Sequence, residues 1–489
     1  MFPPGAILRD KVSSVRVGEP LALFIASLTV RLIVWYVVKD SPPLYDEASY
    51  LERADGVRDA LRSLRHGSLS FDGALLRAYG EGIWPPVHPF VLGVSNFLSD
   101  SVPVARLTSV LVSSATTPCV YVFTHAITDR RAARLAALVH VALPEFVAYS
   151  HLLWAESLTC LWLALGLVLL RPHTNPRVSR IVLAGVCLGL SVLTRAAVFP
   201  VVVAIVAWRA LLGPTRRLRL LVTVAIPVAL LPGIWAVTLT LQEGRPAVFS
   251  TRSGFNLLLG NNPWVPDGLG SSWGCPDIHS RLEEEVQKYV EQQDPSVDDD
   301  VAAQRLAVAN VRSEPGTFFR RALTRGWLLW TADFFAVRHA ARLLYPSMPP
   351  WVLGTLWMAF ILSFSAVLSA ATIGLVDRGC RRETRALVLL TMLLGSLGPM
   401  FTIGVPRFHI PMLLMLLPAA GHGLTVIWNR RRTPRVWALV LALVAATTSA
   451  SALAVPRVAR YWITPSVHYA PLFERISAVG DYEQSYLAE

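Results

Sequence analysis

Long apolar runs alternate with short polar segments along most of the 489-residue chain. A helix of about 20 apolar residues crosses a hydrocarbon core of roughly 30 Å, and runs of that kind begin at Leu21 and recur almost to residue 456. The pattern predicts an all-α polytopic membrane protein with about 11 transmembrane helices plus interfacial helices. The predicted spans are 20–38, 104–125, 134–149, 153–170, 181–194, 197–212, 219–241, 351–376, 386–404, 409–428 and 436–455.

A shorter apolar run at 86–99, about 14 residues long, is typical of an interfacial or re-entrant helix. If this run lies along the membrane surface, every dense basic loop faces the cytoplasm, as the positive-inside tendency favours. If the run crosses the membrane, the same loops face outward. We therefore predict that 86–99 does not cross and that the N-terminus is cytoplasmic. The basic loops in question are 130–134, 171–180, 216–219, 378–385 and 430–435.

The predicted topology divides the chain into an N-terminal transmembrane module, a large outer segment, C-terminal spans and a tail. The first apolar run follows basic residues and lacks a small-residue cleavage site, so we predict a retained first span. Within the outer segment we expect a mixed structure: a polar helix near 281–293, a solvated loop at 298–300 and a helix capped by Ser313. The four regions are 1–241, with its first outer loop at 39–103, then 242–345, 346–455 and 456–489.

Composition supports the membrane assignment. Hydrophobic residues make up 53% of the chain and charged residues 16%, whereas soluble domains carry about 25% charged residues. The net charge of +12 reflects mainly arginines in short loops, so topology explains it better than nucleic-acid binding does. No disulfide framework is indicated, because Cys275 alone lies in the long polar segment. The other cysteines, in or beside apolar runs, are Cys119, Cys160, Cys187 and Cys380.

Two carboxylates, Asp46 and Glu47, follow the first span directly. Charged groups are energetically costly near the low dielectric of a membrane. A role as general base in group transfer to a hydroxyl would explain their position. The alternative is that they cap a solvated interfacial helix over 46–65.

A third carboxylate, Glu156, lies a few residues inside the outer end of a predicted span. Ionisable residues within spans usually face a cavity or a partner, so Glu156 is a candidate functional group or half of a buried pair. Glu145 and His140, in the span at 134–149, are equally well explained as structural partners.

Basic groups converge on the predicted outer face at Arg106, Arg195, Arg407 and His409. Arginines that face outward contradict the positive-inside tendency, and guanidinium groups bind phosphate bidentately. These residues are therefore candidates to bind an anionic lipid headgroup. Snorkelling of the same side chains to membrane lipids is the alternative.

A divalent metal ion is a candidate cofactor, and we predict no other. Carboxylate and imidazole ligands are available on the outer face, although their spacing matches no recognised metal motif. The candidate ligands are Asp46, Glu47, His88 and Glu156, with His151 and His409 near them on the predicted outer face.

Several short motifs resemble those of the GT-C superfamily of membrane glycosyltransferases, in the branch of protein O-mannosyltransferases and the lipid A aminoarabinose transferase. Their order and spacing along most of the chain carry the resemblance better than any single motif. The motifs are Asp46-Glu47-Ala48-Ser49-Tyr50, Trp84-Pro85-Pro86-Val87-His88-Pro89, Ala105-Arg106-Leu107, Gly260-Asn261-Asn262-Pro263 and Pro406-Arg407-Phe408-His409-Ile410-Pro411.

The resemblance implies a polyprenyl-phosphate sugar donor, with Asp46 as catalytic base, Glu156 as second acidic residue and Arg407 on the donor phosphate. Trp84 departs from the pattern, since many relatives carry Lys or Arg there, so Arg77, Arg106 or His88 is expected to replace that contact. The residues that we assign to substrate binding are Tyr50, His88, His151, Asn261 and Asn262.

These features predict a glycosyltransferase of the bacterial inner membrane whose active site faces outside the cytoplasm. Its predicted acceptor is a cell-envelope glycan, lipid or protein. The Ala- and Arg-rich composition suggests a high-GC bacterium, in which decaprenyl-phosphate arabinose and polyprenyl-phosphate mannose are candidate donors. A transporter or flippase of an anionic lipid is the alternative. It is less favoured, because the polar residues gather at one membrane face and no inverted pair of broken helices is visible.

Overall fold

The structure is a computed structural model that describes most of the chain. The predicted phosphate contact Arg77 and the tail beyond Val458 lie outside the described residues, as does the N-terminal segment before Val17. The described residues are 17–43, 46–68, 70, 73, 78–79, 82, 84–172, 177–212, 217–266, 268–272, 275–292, 297–339 and 350–458.

Regular structure in the described residues is entirely helical, as the apolar periodicity predicted. The helices are α1 (Gly18–Val38), α2 (Asp46–Arg65), α3 (Val87–Leu98), α4 (Val102–Ile127), α5 (Arg130–Ala142), α6 (Pro144–Tyr149), α7 (Glu156–Leu170), α8 (Val178–Thr194), α9 (Phe199–Leu212), α10 (Arg217–Glu243), α11 (Ser253–Gly260), α12 (Pro276–Gln292), α13 (Asp299–Ser313), α14 (Pro315–Leu329), α15 (Phe334–His339), α16 (Pro350–Val376), α17 (Arg382–Phe401), α18 (Ile410–Asn429) and α19 (Pro434–Val458). Short 3₁₀ turns, Ala196–Val198 and Pro406–His409, precede α9 and α18.

Seven of these helices are long and apolar enough to cross a membrane: α1, α4, α10, α16, α17, α18 and α19. Shorter apolar helices, α7, α8 and α9 among them, occupy other predicted spans. The predicted span at 134–149 is divided between α5 and α6, which begins at Pro144. The chain is therefore a polytopic membrane protein whose helices fall where the apolar runs predicted them.

The short apolar run forms α3, which packs against α2. Its 12 residues rise about 18 Å, less than the thickness of a hydrocarbon core. The two helices approach closely, because a Cβ on Gly93 would lie 2.6 Å from the Val57 side chain. This length suits the predicted interfacial placement.

Three of the predicted basic loops, 130–134, 378–385 and 430–435, lie together at one end of the helical bundle. Arg130 and Arg134 pair with Glu19 at the start of α1, and Arg131 donates to Asn429 at the end of α18 over 3.0 Å. Arg381, before α17, donates to the Ala126 carbonyl over 3.3 Å at the end of α4. The arrangement matches the predicted clustering of these loops on one side, and which side faces the cytoplasm stays a prediction.

Glycines let α18 approach its neighbours backbone to backbone. A Cβ on Gly423 would lie 1.8 Å from the Ala370 carbonyl of α16, and one on Gly421 would lie 2.2 Å from the Ala132 carbonyl of α5. Small residues allow this packing between membrane helices, where dispersion contacts replace the hydrophobic effect.

We expect Gly423→Ala to destabilise the fold by about 1–3 kcal/mol, because the added methyl group forces α16 and α18 apart. Thermal unfolding in detergent measures this as a lower Tm. Gly398→Ala is the matched control, since nothing lies within 4 Å of that Cβ position in α17. An equal Tm for the two variants would contradict the close approach.

Two helix ends in the outer segment differ from those predicted from the sequence. Asp298, predicted in a solvated loop, caps α13 through Asp300 and Val301 N–H groups and pairs with Arg245 at 2.6 Å. Ser313, predicted as an N-cap, ends α13, and Glu314 precedes α14. Both errors concern helix ends, which local sequence specifies weakly. All five cysteines are free, as predicted.

Candidate active site

Four charged side chains from distant parts of the chain meet at one end of the bundle. Asp46 begins α2, Glu156 begins α7, Arg195 follows α8, and Arg407 lies in the 3₁₀ turn before α18. Arg407 bridges the two carboxylates, with Nη1 on Asp46 and Nε on Glu156, and Arg195 also donates to Glu156. We call these four residues the ion-pair cluster.

Aromatic rings hold the two guanidinium groups of the ion-pair cluster. The Arg407 guanidinium lies 4.0 Å from the centre of the Trp154 ring, and that of Arg195 lies 4.8 Å from the Phe408 ring. Cation–π contacts of this kind gain strength when water is excluded. The arginines are therefore fixed in direction by a ring face and by a carboxylate.

The two carboxylates of the ion-pair cluster differ in access. Asp46 has 26% of its side chain exposed, whereas Glu156 has none. Asp46 uses Oδ2 for Arg407, and no hydrogen bond to Oδ1 is found within the described residues. Asp46 thus offers one oxygen to a ligand. Glu156, which is fully buried, orients the two arginines from inside the protein.

Unused donors point to a place for an anion. Over the described parts of the chain, no hydrogen bond occupies Nη2 of Arg407 or Nη2 and Nε of Arg195. Guanidinium groups keep their charge when buried and bind the oxygens of a phosphate in pairs. The cluster is electrically neutral by formal charge, with two carboxylates and two arginines, before a ligand binds.

Glu47 faces away from its neighbour Asp46 into a separate buried ion pair. Its Oε1 accepts from Nη1 of Arg106 at 3.0 Å and from the Leu153 N–H at 2.8 Å. Arg106 also donates to the carbonyls of His151, at 2.5 Å, and Ser41, at 3.2 Å. This pair joins the loop before α2 to α4 and to the turn before α7, which is a structural task.

An aromatic group lies beside Asp46. Tyr50, one helical turn further along α2, packs against Trp84 and His88, with ring centres 4.7 Å apart in each case. Burial raises the pKa of the Tyr50 hydroxyl above its ordinary value, and the Arg407 charge acts in the opposite direction. His88 donates Nε2–H to the Leu153 carbonyl over 3.0 Å, and burial lowers its pKa to about 4, so the ring is neutral at pH 7.

The candidate metal ligands Asp46, Glu47, His88 and Glu156 do not all converge, although Asp46 and Glu156 meet at Arg407. Glu47 is bound to Arg106, and His88 is bound to the Leu153 peptide group. In the described ranges, no group of three or more His, Cys, Asp or Glu side chains is placed to hold a metal ion.

The other predicted site residues mainly support the backbone around the ion-pair cluster. Nδ1 of His409 bonds the Leu329 carbonyl at 2.7 Å, and its ring stacks near Trp330 and Phe364. Nε2 of His151 lies 2.8 Å from the Arg31 carbonyl of α1. His409 and His151 thus tie the outer segment and α1, respectively, to the helices that carry the site.

Asn261 and Asn262 bond to the outer segment and, for Asn261, also to the end of α17. Asn261 donates to the carbonyls of Leu257 and Phe401, at 2.9 and 3.0 Å, and Asn262 donates to the Ser272 hydroxyl at 2.9 Å. Neither side chain forms a hydrogen bond with the ion-pair cluster in the described structure.

Three residues linked to Arg407, two of them through Trp154, were not predicted from the sequence. Trp154 carries its guanidinium, Tyr149 packs against Trp154 at 5.7 Å, and the Tyr149 hydroxyl donates to Asp333 over 2.6 Å. Aromatic residues in apolar runs are usually core residues, so the sequence offered no signal for the first two. A carboxylate at the end of the outer segment was the one available signal for Asp333.

His140 and Glu145, the two residues of the span at 134–149 whose roles were left open, differ in their contacts. Nδ1 of His140 lies 2.9 Å from the Thr117 hydroxyl, and its carbonyl accepts from Arg31 at 3.1 Å, so it is a structural partner. Glu145 is fully buried, and neither carboxylate oxygen has a hydrogen-bond partner in the described residues.

A comparison with family models matches residues 84–239 to the dolichyl-phosphate-mannose-protein mannosyltransferases. The matched range contains Trp84, Arg106, Glu156 and Arg195. This match confirms the resemblance to GT-C membrane glycosyltransferases. A search of curated protein sequences found no significant match.

Solved structures with a similar arrangement include an oligosaccharyltransferase from Archaeoglobus fulgidus in complex with Zn and sulfate. It is 14% identical, with a TM-score of 0.43, and the alignment covers 92% of this chain and 54% of that one. This chain therefore spans about half the length of that relative. ArnT from Cupriavidus metallidurans, bound to undecaprenyl phosphate, is 14% identical with a TM-score of 0.37, covering 91% of this chain and 80% of that one.

Proposed function

We propose that this membrane protein is a glycosyltransferase that moves a sugar from a polyprenyl-phosphate donor to an acceptor outside the cytoplasm. The observation that carries the proposal is the ion-pair cluster, in which Arg407 bridges the accessible carboxylate Asp46 and the buried carboxylate Glu156. The match of residues 84–239 to mannosyltransferases that use dolichyl phosphate mannose supports the donor class.

Arg407 and Arg195 are the proposed phosphate contacts. Both have unused N–H groups in the described structure, whereas both terminal nitrogens of Arg106 are bound to Glu47 or to carbonyls and its unpaired Nε is buried. A phosphodiester linking a sugar to a polyprenol carries one negative charge, and a pyrophosphate carries two. Because the cluster is neutral before binding, the single charge is the easier one to accommodate beside two carboxylates.

The proposed reaction is a direct displacement at the anomeric carbon. Asp46 accepts a proton from the acceptor group at its free Oδ1, and the acceptor atom forms a bond to the anomeric carbon. The bond from that carbon to the phosphate oxygen breaks, and polyprenyl phosphate leaves with the electron pair. Arg407 and Arg195 stabilise the charge that develops on the leaving phosphate, and Glu156 keeps both guanidinium groups in position.

Arg407→Lys tests the phosphate assignment. Lysine keeps the positive charge but lacks the planar fork that bridges two carboxylates, so we expect kcat/KM for the donor to fall roughly 10- to 100-fold. The measurement follows transfer of labelled sugar and release of polyprenyl phosphate by purified protein in liposomes. Decaprenyl-phosphate arabinose and polyprenyl-phosphate mannose are the first donors to try.

Arg130→Lys is the matched control, because Arg130 lies exposed at the basic end of the bundle. The control is expected to keep the wild-type kcat/KM. A wild-type protein that transfers sugar, with an unaffected Arg407→Lys variant, would refute the role of Arg407. A wild-type protein that transfers no sugar from any polyprenyl-phosphate donor would refute the proposed function.

A lipid transporter is the competing function. The ion-pair cluster lies at helix ends, whereas transported substrates are usually held near the membrane midplane between broken helices. Proteoliposomes that contain the protein and a labelled polyprenyl-phosphate lipid, but no acceptor, separate the two functions. Movement of the lipid between leaflets without an acceptor would favour transport.

A further inference from the structure

Trp84 packs on the face of α2 that carries Asp46. Asp46 and Tyr50 are four residues apart on α2, so they lie on one face about one turn, or roughly 5.4 Å, apart. The Trp84 ring packs on Tyr50 with centres 4.7 Å apart and planes inclined by 39°. Trp84 therefore contacts α2 one turn from Asp46, on the face that Asp46 and Tyr50 share.

The indole of Trp84 is fixed in orientation. Its Nε1–H donates to the Ser49 hydroxyl over 2.9 Å. Tyr50, which supports the ring, is 2% exposed and meets His88 edge-on at 89°. Trp84 itself is only half-buried, so part of a rigid indole surface remains accessible above a buried support.

We propose that Trp84 is the binding surface for the sugar ring of the donor, an inference that rests on the proposed function. A sugar whose phosphate lies on Arg407 and whose anomeric carbon lies near Asp46 extends along the α2 face by about the width of one ring. An aromatic surface there packs against the C–H face of the sugar and leaves its hydroxyl groups for polar partners. Trp84 carries no charge, so this part of the site selects the neutral sugar and not the phosphate.

The test compares the binding of two lipids that differ only in the sugar. One is the polyprenyl-phosphate sugar, and the other is the same polyprenyl phosphate without it. We expect Trp84→Ala to weaken binding of the sugar-bearing lipid about tenfold while binding of the bare phosphate stays unchanged. Trp84→Phe, which keeps an aromatic face, is expected to recover part of the lost affinity.

Ser49→Ala provides a milder variant that keeps the indole and removes the hydrogen bond that orients it. It is expected to reduce affinity for the sugar-bearing lipid by a smaller factor. Trp351→Ala is the control for loss of a tryptophan, since Trp351 is 73% exposed in α16. If Trp84→Ala does not fold, the affinities of the Trp84→Phe and Ser49→Ala variants for the two lipids test the inference.

Two results would overturn the inference. One is an equal loss of affinity for both lipids, which indicates that Trp84 only supports the site. The other is an unchanged preference for the sugar-bearing lipid in every Trp84 and Ser49 variant. Either result leaves the proposed function standing if the wild-type protein still transfers sugar and Arg407→Lys still impairs transfer.

Discussion

Asp46→Asn is expected to lower the rate of sugar transfer by about 10²–10⁴-fold, the usual contribution of a general base. Asparagine has nearly the same volume and still accepts a hydrogen bond from Arg407 through its carbonyl oxygen. It cannot take a proton from the acceptor. The loss should therefore appear in kcat, measured as transfer at saturating donor.

The donor affinity of the Asp46→Asn variant distinguishes a base from a phosphate contact. Removal of one negative charge beside Arg407 should leave donor binding unchanged or tighter, because a carboxylate no longer competes for the guanidinium group. Asp40→Asn is the control, since Asp40 lies in the loop between α1 and α2, exposed and paired with Lys39. Wild-type kcat in Asp46→Asn would remove Asp46 from the mechanism.

Glu47→Gln is expected to act on stability instead, with a loss of about 3–5 kcal/mol in the free energy of unfolding. Glu47 and Arg106 are each about 1% exposed, so the variant leaves the Arg106 charge buried without its partner carboxylate. Thermal unfolding in detergent should show a strongly lowered Tm. The fraction that remains folded should transfer sugar at a rate near that of the wild type.

Two further variants sharpen this result. Glu52→Gln changes an exposed carboxylate on the same helix and should leave Tm unchanged. Glu47→Gln combined with Arg106→Gln removes both charges and should be more stable than Glu47→Gln alone. If Glu47→Gln folds with the wild-type Tm and yet loses transfer, Glu47 belongs to the catalytic machinery and the structural assignment is wrong.

The adjacent carboxylates Asp46 and Glu47 show which features can be predicted from the sequence and which cannot. The helix over 46–65 stood only as the alternative to a catalytic role for this pair, and the structure contains it as α2 (Asp46–Arg65), because a capping carboxylate pair and a long polar helical stretch are local signals. Neighbouring side chains on a helix point about 100° apart, and periodicity alone does not say which one faces the site. The contacts with Arg407 and Arg106 make that distinction.

Most of the charged residues that were predicted to lie on one face of the membrane do meet in the structure. Asp46, Glu156, Arg195 and Arg407 do meet, since each lies at a helix end on the same side of the bundle. Asn261 and Asn262 instead satisfy backbone groups near the end of α11. Turn-forming residues serve either role, and their local sequence does not differ between the two.

The sequence by itself determined the helical membrane class, the positions of the apolar helices and the gathering of basic loops, because hydrophobicity and charge act locally along the chain. The tertiary structure decided which charges pair and which aromatic rings support them. Arg407 and Asp46 are 361 residues apart, and Trp154 looks like an ordinary core residue in its apolar run. Only packing of distant helix ends brings these groups within contact distance, so the joining of Asp46 and Glu156 by Arg407, and the separate pairing of Glu47 with Arg106, follow from the fold.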